Sequence, residues 1–224
     1  FNGLNNEIWF RHSPPKHMKF AGAGGMALQG AVAERWREVT GCDVLQGYGL
    51  TETSPVLTFE PVGKAREGTI GIPVPSTEVA CFDDDGNKLP QGEVGEIAAR
   101  GPQIMKGYWK KPEETEKVMI DDWFLTGDTG QMNASGEITY LGRRDDMMNA
   151  GGFRVSPIEV EMVVAGAPGV TSCGVTEVEL APGKRIIVAF YTGRAATDET
   201  ELHAHAAARL ARYKQPRAYV HLPM

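Results

Sequence analysis

Residues 125–161 read LTGDTGQMNASGEITYLGRRDDMMNAGGFRVSPIEVE and carry most of the information about this chain. A buried strand alternates apolar and polar residues, and an amphipathic helix repeats its apolar residues every 3.6 positions; this stretch does neither. Its polar residues cluster instead at pairs typical of turns: Gly127-Asp128, Gly142-Arg143 and Gly151-Gly152. The pattern predicts a ligand-facing surface made of loops on a rigid scaffold.

The composition of the whole chain excludes several classes of function. With 224 residues, the chain is long enough for one large domain or two small ones. A net charge of −6 gives no basic footprint for nucleic acid or an anionic membrane. Any nucleotide must therefore be held locally, by loops and single arginines. No apolar run reaches membrane-spanning length, and no signal peptide is visible, so we expect no transmembrane segment.

The cysteines indicate a reducing compartment. The three of them, Cys42, Cys81 and Cys173, show neither paired spacing nor a zinc-ligand pattern. We interpret each as a small buried residue, and we expect the protein to be cytoplasmic.

Apolar periodicity divides the chain into three regions, 1–67, 68–144 and 145–224. In the first region a helical stripe over 27–39 is followed by a short buried strand at Val44-Leu45, which leads into a turn at Tyr48. A loop at the carboxyl end of such a strand is where α/β sheets present ligand sites.

The residue pattern of the second region predicts small antiparallel β structure, either a barrel or a sandwich. Short β-type runs at Glu78–Phe82, 95–99 and 136–141 are separated by turn residues. The acidic segment 84–87 lacks the spaced oxygen ligands of a calcium loop, so we predict a hairpin turn there.

The third region predicts a compact α+β unit of helix, two strands, helix and a last strand. Ser156 and Pro157 are typical of a helix start, with Glu159 reaching back in a capping box. Strands are expected at 171–178 and 185–191, and a helix at 198–212. His203 and His205 point to different faces of that helix, so we interpret them as surface residues rather than metal ligands.

Ordered motifs in the chain resemble a known family. The segments are QGYGLTETSP at 46–55, LTGD at 125–128, GRRDDM at 142–147 and GGFRVSPIEVE at 151–161. They are similar to the motifs of adenylate-forming (AMP-binding) enzymes, which include acyl-CoA synthetases, peptide-synthetase adenylation domains and luciferases. The resemblance extends from about Phe20 to the C-terminus. It implies the tail of an α/β adenylation domain (1–67), a small distorted β-barrel subdomain (68–144) and a mobile α+β domain (145–224).

Residues near Tyr48 are candidates for holding ATP and Mg²⁺. Tyr48 can stack on adenine, and Gly49 lets the backbone turn without a Cβ in the way, although a core tyrosine in a strand-end turn is the alternative. The resemblance implies that adenine lies between Tyr48 and the backbone of a glycine-rich loop matching Gly24, Gly25, Met26 and Ala27. It also assigns a phosphate contact to Thr51 and a magnesium-binding carboxylate to Glu52.

Residues of the opening stretch complete the expected site. The carboxylate of Asp128 can accept both ribose hydroxyls, with an ordinary Asx turn as the alternative. The resemblance implies that Arg143 contacts the ribose or phosphate and that Asp145 is the hinge at which the small domain swings. It places Gly151 and Gly152 along the path of the CoA pantetheine. Asn149 stands where some relatives carry lysine, and no catalysis is assigned to it.

The resemblance implies an acyl-CoA synthetase that uses ATP, Mg²⁺ and CoA. Acetate-activating relatives carry a bulky aromatic residue at the position of Gly49, so glycine there favours a longer or aromatic acid, and we expect a fatty acid. The family's Ser/Thr/Gly-rich phosphate loop and its C-terminal lysine are not found in this sequence, which implies that the chain alone does not form an adenylate efficiently. A carrier-protein-coupled adenylation domain and a non-catalytic nucleotide-binding module remain alternatives.

Overall fold

The structure, a computed structural model, describes residues 1–25, 28, 30–66, 68–150, 152–181 and 184–222. The chain divides into two compact units, unit 1 (Phe1–Tyr140) and unit 2 (Leu141–Met224). The boundary lies four residues before Arg144, the last residue of the expected second region.

Unit 1 opens with three helices and a four-stranded sheet. These elements are α1 (Asn2–Asn6), α2 (Ile8–His12), β1 (Ala21–Gly24), α3 (Gly30–Thr40), β2 (Val44–Tyr48), β3 (Thr58–Phe59) and β4 (Ile72–Pro73). The sheet order is β1-β2-β3-β4, with β1 parallel to β2 and the other pairs antiparallel. The helical stripe predicted for α3 buries Trp36 against Phe10 and Val44, which fixes the helix on the sheet.

The second sheet of unit 1 is antiparallel and five-stranded. Its strands are β5 (Glu78–Phe82), β6 (Val94–Arg100), β7 (Met119–Ile120), β8 (Trp123–Met132) and β9 (Ile138–Arg143); a short helix, α4 (Pro112–Glu116), precedes β7. β9 begins in unit 1, and its last three residues belong to unit 2. The order is β5-β6-β8-β7, with β9 paired to β8. The main-chain groups of Ile138 bond to Ile70 and Gly71, which joins this sheet to the segment before β4. Unit 1 thus combines an α/β part with an antiparallel sheet, and with the α+β arrangement of unit 2 described below it confirms the mixed α/β and α+β fold class.

Two of the three turns expected in the opening stretch are wrong. Gly127-Asp128 lies inside the ten-residue strand β8, and Gly142-Arg143 forms the end of β9. Gly127 has a φ of 73°, and the pairing of β6 with β8 shifts register between Glu96 and Ala98. Because glycine tolerates this left-handed backbone, the strand absorbs one irregularity and continues. The third pair includes Gly151, which lies outside the described residues.

The acidic segment after β5 forms the predicted hairpin turn. Oδ1 of Asp83 accepts hydrogen bonds from the backbone N–H groups of Asp85 (3.0 Å) and Asn87 (2.7 Å). Bonds from Asn87 lower the pKa of the Asp83 carboxyl, because they stabilise its charged form. Across the described residues, no group of three or more acidic, histidine or cysteine side chains is arranged to hold a metal ion.

Unit 2 contains a hairpin, a three-stranded sheet and two helices. The hairpin consists of β10 (Met148–Ala150) and β11 (Phe153–Val155). The sheet has the order β12-β13-β14, with β12 antiparallel and β14 parallel to β13. These elements are β12 (Ser172–Ala181), β13 (Lys184–Thr192), β14 (Ala218–Leu222), α5 (Pro157–Ala165) and α6 (Glu199–Ala207).

The start of α5 confirms Ser156 as its cap, whereas both acids of the first turns have other contacts. The Ser156 hydroxyl accepts a hydrogen bond from the Glu159 N–H at 3.1 Å. The carboxylate of Glu159 lies 2.7 Å from the ammonium group of Lys214 rather than reaching back as a capping box. Glu161 accepts a hydrogen bond from the Val175 N–H at 2.9 Å, so its carboxylate ties α5 to β12.

Two expectations for the last helix are wrong. α6 ends at Ala207, five residues before Arg212, because the chain turns there to bury Leu210 in the core of unit 2. His205 is not a surface residue, since its Nε2 lies 3.0 Å from the carbonyl oxygen of Val163 and joins α6 to α5. His203 is exposed, as expected.

In the described part of the chain, every helix is too short or too polar to cross a lipid bilayer.

Candidate nucleotide site

Gly24, in the glycine-rich segment, and Tyr48 lie at the same edge of the first sheet. β1 and β2 run parallel, with Gly24 opposite Gly47, so their carboxyl ends meet. A Cβ on Gly24 would lie 3.0 Å from the Gly47 carbonyl oxygen, and Gly25 has a φ of 81°. Gly24 is therefore favoured by the limited space beside Gly47, and Gly25 by its left-handed backbone conformation. Met26 and Ala27, also expected here, lie outside the described residues.

Asp128 is the acceptor at the centre of a tyrosine pair. The Tyr48 hydroxyl donates to Oδ2 of Asp128 at 2.6 Å, and the Tyr140 hydroxyl donates to Oδ1 at 3.3 Å. The two rings lie 5.8 Å apart between centroids, and Asp128 is only 3% exposed. Burial first, and then the charge of Asp128, raises the pKa of Tyr48, so its hydroxyl stays a neutral donor.

This arrangement shows what the Asp128 carboxylate can do chemically. Each of its oxygens accepts an O–H donor, which is the pattern that the two adjacent hydroxyls of a ribose present. Sequence reasoning paired Tyr48 and Asp128 only through the family resemblance and missed Tyr140. The available signal was alternation along β9, which places Tyr140 on the same face as the buried Ile138.

Gly49 lies in close contact with the backbone of Pro55 and Val56. A Cβ at this position would stand 1.8 Å from the Pro55 carbonyl oxygen and 2.9 Å from the Val56 Cα. Thr53, fully buried, closes the same turn: its hydroxyl accepts from the Leu50 N–H at 2.8 Å. Gly49 is therefore required by packing against the Pro55–Val56 backbone, whatever its effect on an acyl pocket.

Thr51 and Glu52 lie in a single turn of 3₁₀ helix, Thr51–Thr53, directly after the Tyr48 turn. Thr51 is exposed and Glu52 is half-buried. The Tyr108 hydroxyl donates to Oε1 of Glu52 at 2.9 Å, a contact that sequence reasoning did not find. Burial, followed by this bond, raises the pKa of Tyr108, so its hydroxyl is also a protonated donor at neutral pH.

The buried carboxylate of Glu60 accepts hydrogen bonds from the backbone of β2 and from the segment that precedes β4. It is 2% exposed; its Oε2 accepts from the Gln46 N–H at 2.7 Å, and its Oε1 accepts from the Arg66 N–H at 2.9 Å and the Thr69 hydroxyl at 3.2 Å. The Gln46 side chain in turn accepts from the Leu28 N–H at 3.4 Å. Glu60 is thus linked through Gln46 to Leu28, which follows the glycine-rich segment.

We expect Glu60→Gln to lower the stability of unit 1 although the substitution preserves shape. The amide can accept at only one end, so at least one buried donor loses its partner, at a cost of about 2 kcal/mol. A melting temperature lower than that of the parent chain by roughly 4–8 °C would show it. Glu93→Gln, at an exposed glutamate of the same unit, is the matched control and should have the same melting temperature as the parent chain. Equal melting of both variants would contradict the structural role of Glu60.

The remaining expected residues belong to unit 2. Arg143 is the exposed last residue of β9. Asp145 is exposed in the turn that follows, which is closed by a hydrogen bond of 3.2 Å from the Asp146 N–H to the Arg143 carbonyl oxygen. Gly152 is exposed with a φ of 90°. The side chain of Asn149 accepts from the Gly152 N–H at 3.0 Å, which closes the turn between β10 and β11.

Comparison with known proteins agrees with this geometry. The family model of AMP-binding enzymes matches residues 4–109. A long-chain-fatty-acid–CoA ligase of Yersinia pestis is 41% identical over 219 residues, which are 97% of this chain and 39% of that protein. The chain thus spans about two fifths of the length of this curated relative.

Solved structures show the same fold. The ATP-bound MatB of Rhodopseudomonas palustris superposes with a TM-score of 0.89 at 30% identity, over 99% of this chain and 45% of that one. The O-succinylbenzoate coenzyme A synthetase MenE of Bacillus subtilis, in complex with ATP and a magnesium ion, superposes with a TM-score of 0.83 at 29% identity, over 99% of this chain and 45% of that one. The glycine-rich turn, the Tyr48–Asp128 pair and these similarities together establish that the chain belongs to the adenylate-forming (AMP-binding) enzyme superfamily.

Proposed function

We propose that the protein carrying this chain is an acyl-CoA synthetase. In its first step, the oxygen of a carboxylate substrate attacks the α-phosphorus of ATP, which forms acyl-AMP and releases pyrophosphate. In the second step, the sulfur of CoA attacks the acyl carbon, which forms the thioester and releases AMP. The observation that carries the proposal is the buried Asp128, which accepts two hydroxyl donors beside the parallel strand ends.

The residues of unit 1 have distinct roles in this proposal. The Tyr48 ring and the backbone at Gly25 enclose the adenine, and Asp128 accepts the two ribose hydroxyls in place of the tyrosine hydroxyls. The hydroxyl of Thr51 is exposed and can donate to a phosphate oxygen. From unit 2, we assign only Arg143 to nucleotide binding, as positive charge for the ribose or phosphate.

A magnesium ion fits the chemistry of Glu52. Oε1 of Glu52 accepts the bond from Tyr108, whereas its Oε2 accepts no hydrogen bond from any described residue. A carboxylate oxygen is the hard ligand that Mg²⁺ prefers. When bound, the ion neutralises charge on the phosphates as pyrophosphate departs.

We further propose that the substrate is a fatty acid and that CoA is the thiol acceptor. The fatty-acid assignment is supported by the name of the Yersinia relative. Gly152, on the hairpin turn closed by Asn149, together with Gly151, provides a path without side chains for the pantetheine. The free cysteines support a cytoplasmic location.

We also propose Asp145 as the pivot between the adenylating and thioester-forming poses. It is exposed in a tight turn and lies five residues after the boundary at Tyr140. Exposed turn residues are able to absorb the φ/ψ change of a hinge, because no core packing resists the rotation.

Pyrophosphate exchange tests the proposed first step. The complete protein is incubated with ATP, labelled pyrophosphate and one acid at a time: acetate, octanoate, oleate or benzoate. We expect exchange with octanoate and oleate and little with acetate. A subsequent addition of CoA or of a carrier protein distinguishes the two acceptors. Absence of exchange with every acid would contradict the synthetase assignment and favour a non-catalytic nucleotide-binding module.

A further inference from the structure

Tyr108 stands apart from the motifs that the sequence singled out, yet it contacts a residue of the proposed site. Its hydroxyl lies 2.9 Å from Oε1 of Glu52, although 56 residues separate the two along the chain. The backbone supports the same contact, because the Met105 N–H donates to the carbonyl oxygen of Glu52 at 2.8 Å. The segment 101–108 therefore holds Glu52 by both its main chain and its side chain.

This segment is itself well anchored. The Gln103 side chain donates to the Thr77 hydroxyl at 2.6 Å, and the Tyr108 N–H donates to the Thr115 hydroxyl at 2.9 Å. Gly107 has a φ of 142°, and a Cβ there would lie 2.9 Å from the Thr115 side chain. These contacts limit the positions that the Tyr108 ring can adopt, so the ring can fix the carboxylate that it touches.

The hydrogen bond from Tyr108 makes the two oxygens of the Glu52 carboxylate different. Oε1 of Glu52 is occupied by a neutral hydroxyl donor, and Oε2 accepts no hydrogen bond within the described residues. A carboxylate with one oxygen fixed in this way has a restricted χ3 rotation, so its other oxygen is presented in one direction. Groups that orient a metal ligand without touching the metal are known to control metal affinity.

We propose that Tyr108 is a positioning residue that orients Glu52 for the magnesium ion of the bound nucleotide. The proposal rests on the proposed function, because Glu52 is a metal ligand only if ATP binds beside it. In this role Tyr108 contacts Glu52 and not the metal. It would act by holding Oε1, which limits the directions in which Oε2 can be presented to a cation.

The test measures metal binding rather than activity. Mn²⁺ replaces Mg²⁺, and its binding to the complex of the complete protein with ATP is followed by the loss of the free-ion signal in electron paramagnetic resonance. Tyr108→Phe retains the ring and removes only the hydroxyl. We expect this variant to raise the dissociation constant of Mn²⁺ by about tenfold. Its affinity for ATP in the presence of a chelator should stay within twofold of the parent value.

Two controls separate a specific effect from a general one. Tyr213→Phe removes a hydroxyl from a partly exposed tyrosine of unit 2 and should leave Mn²⁺ binding unchanged. Glu52→Gln removes the carboxylate and should weaken Mn²⁺ binding at least as much as Tyr108→Phe. Melting temperatures of all variants establish that each is folded.

The possible outcomes are distinguishable. An unchanged Mn²⁺ dissociation constant in Tyr108→Phe, with Glu52→Gln impaired, would overturn the role of Tyr108 and leave the proposed function intact. Equal weakening of ATP binding with and without metal would also overturn it, because Tyr108 would then act on the whole pocket. Failure of the parent protein to bind ATP under any condition would instead refute the proposed function, and the role of Tyr108 with it.

Discussion

Asp128→Asn is expected to weaken ATP binding by about 100-fold, because hydrogen bonds to a charged group contribute about 1.5–3 kcal/mol. The carboxylate accepts at both oxygens, and an amide of the same shape accepts at only one and presents a donor at the other. A ribose with two adjacent hydroxyls would then lose one acceptor in a site that is 3% exposed. Isothermal titration of the complete protein with ATP measures the change.

Two further variants give this prediction its controls. Asp85→Asn makes the same chemical change at an exposed position and should bind ATP as the parent does. Tyr48→Phe retains the stacking ring and removes one donor to Asp128, so we expect it to reduce ATP affinity far less than Asp128→Asn. Equal ATP affinities for the parent and a folded Asp128→Asn variant would exclude Asp128 from the ribose contact.

Gly49→Ala is expected to destabilise unit 1 by about 3 kcal/mol, since overpacking costs about 1–3 kcal/mol and this contact is severe. The added methyl carbon would lie 1.8 Å from the Pro55 carbonyl oxygen, and the neighbouring atoms are backbone, which cannot rotate away as a side chain does. The turn that holds Thr51 and Glu52 must move to relieve the overlap. Chemical denaturation monitored by the tryptophans, with loss of ATP binding as a second readout, measures the effect.

Gly3→Ala is the matched control for this change. Gly3 lies in α1 of the same unit, and a Cβ there meets no atom within 4 Å. Alanine also has the higher helix propensity, so this variant should be as stable as the parent or slightly more so. If Gly49→Ala unfolded at the same denaturant concentration as the parent, the Pro55–Val56 segment would be able to move at little cost in free energy. Glycine at position 49 would then be explained by the acyl pocket alone.

The strands that pack both sheets were predictable from local pattern. The bounds of β5 were predicted without error, and those of β6, β12 and β13 within three residues, because these strands carry apolar residues between clear turn signals. The strand at 136–141 was also predicted and overlaps β9. The extended backbone at Gly127-Asp128 and Gly142-Arg143 was not, because glycine pairs favour turns locally, whereas pairing of β8 with β6 and β9 keeps the chain extended. Tertiary pairing outweighed local turn preference at these two positions.

The candidate site divides in the same way. Tyr48, Glu52 and Asp128 became candidates through motifs whose order along the chain is specific to one superfamily. Tyr108 was not found, because it reaches Glu52 only after distant segments meet. Tyr140 lies only 12 residues from Asp128, on the strand paired with β8, and was missed although alternation along β9 pointed to it. A hydrogen bond between residues 56 positions apart leaves no periodicity or spacing for sequence reasoning to detect.

By itself, the sequence determined the superfamily, the α/β and α+β fold class and the residue types available for a nucleotide, since these depend on local pattern and motif order. Only the tertiary structure decided which hydroxyls meet which carboxylates, and it showed that Gly49 is required by the Pro55–Val56 backbone. The physical reason is that hydrogen bonding and steric exclusion act over a few ångströms in space. Folding, and not spacing along the chain, brings the partners within that distance.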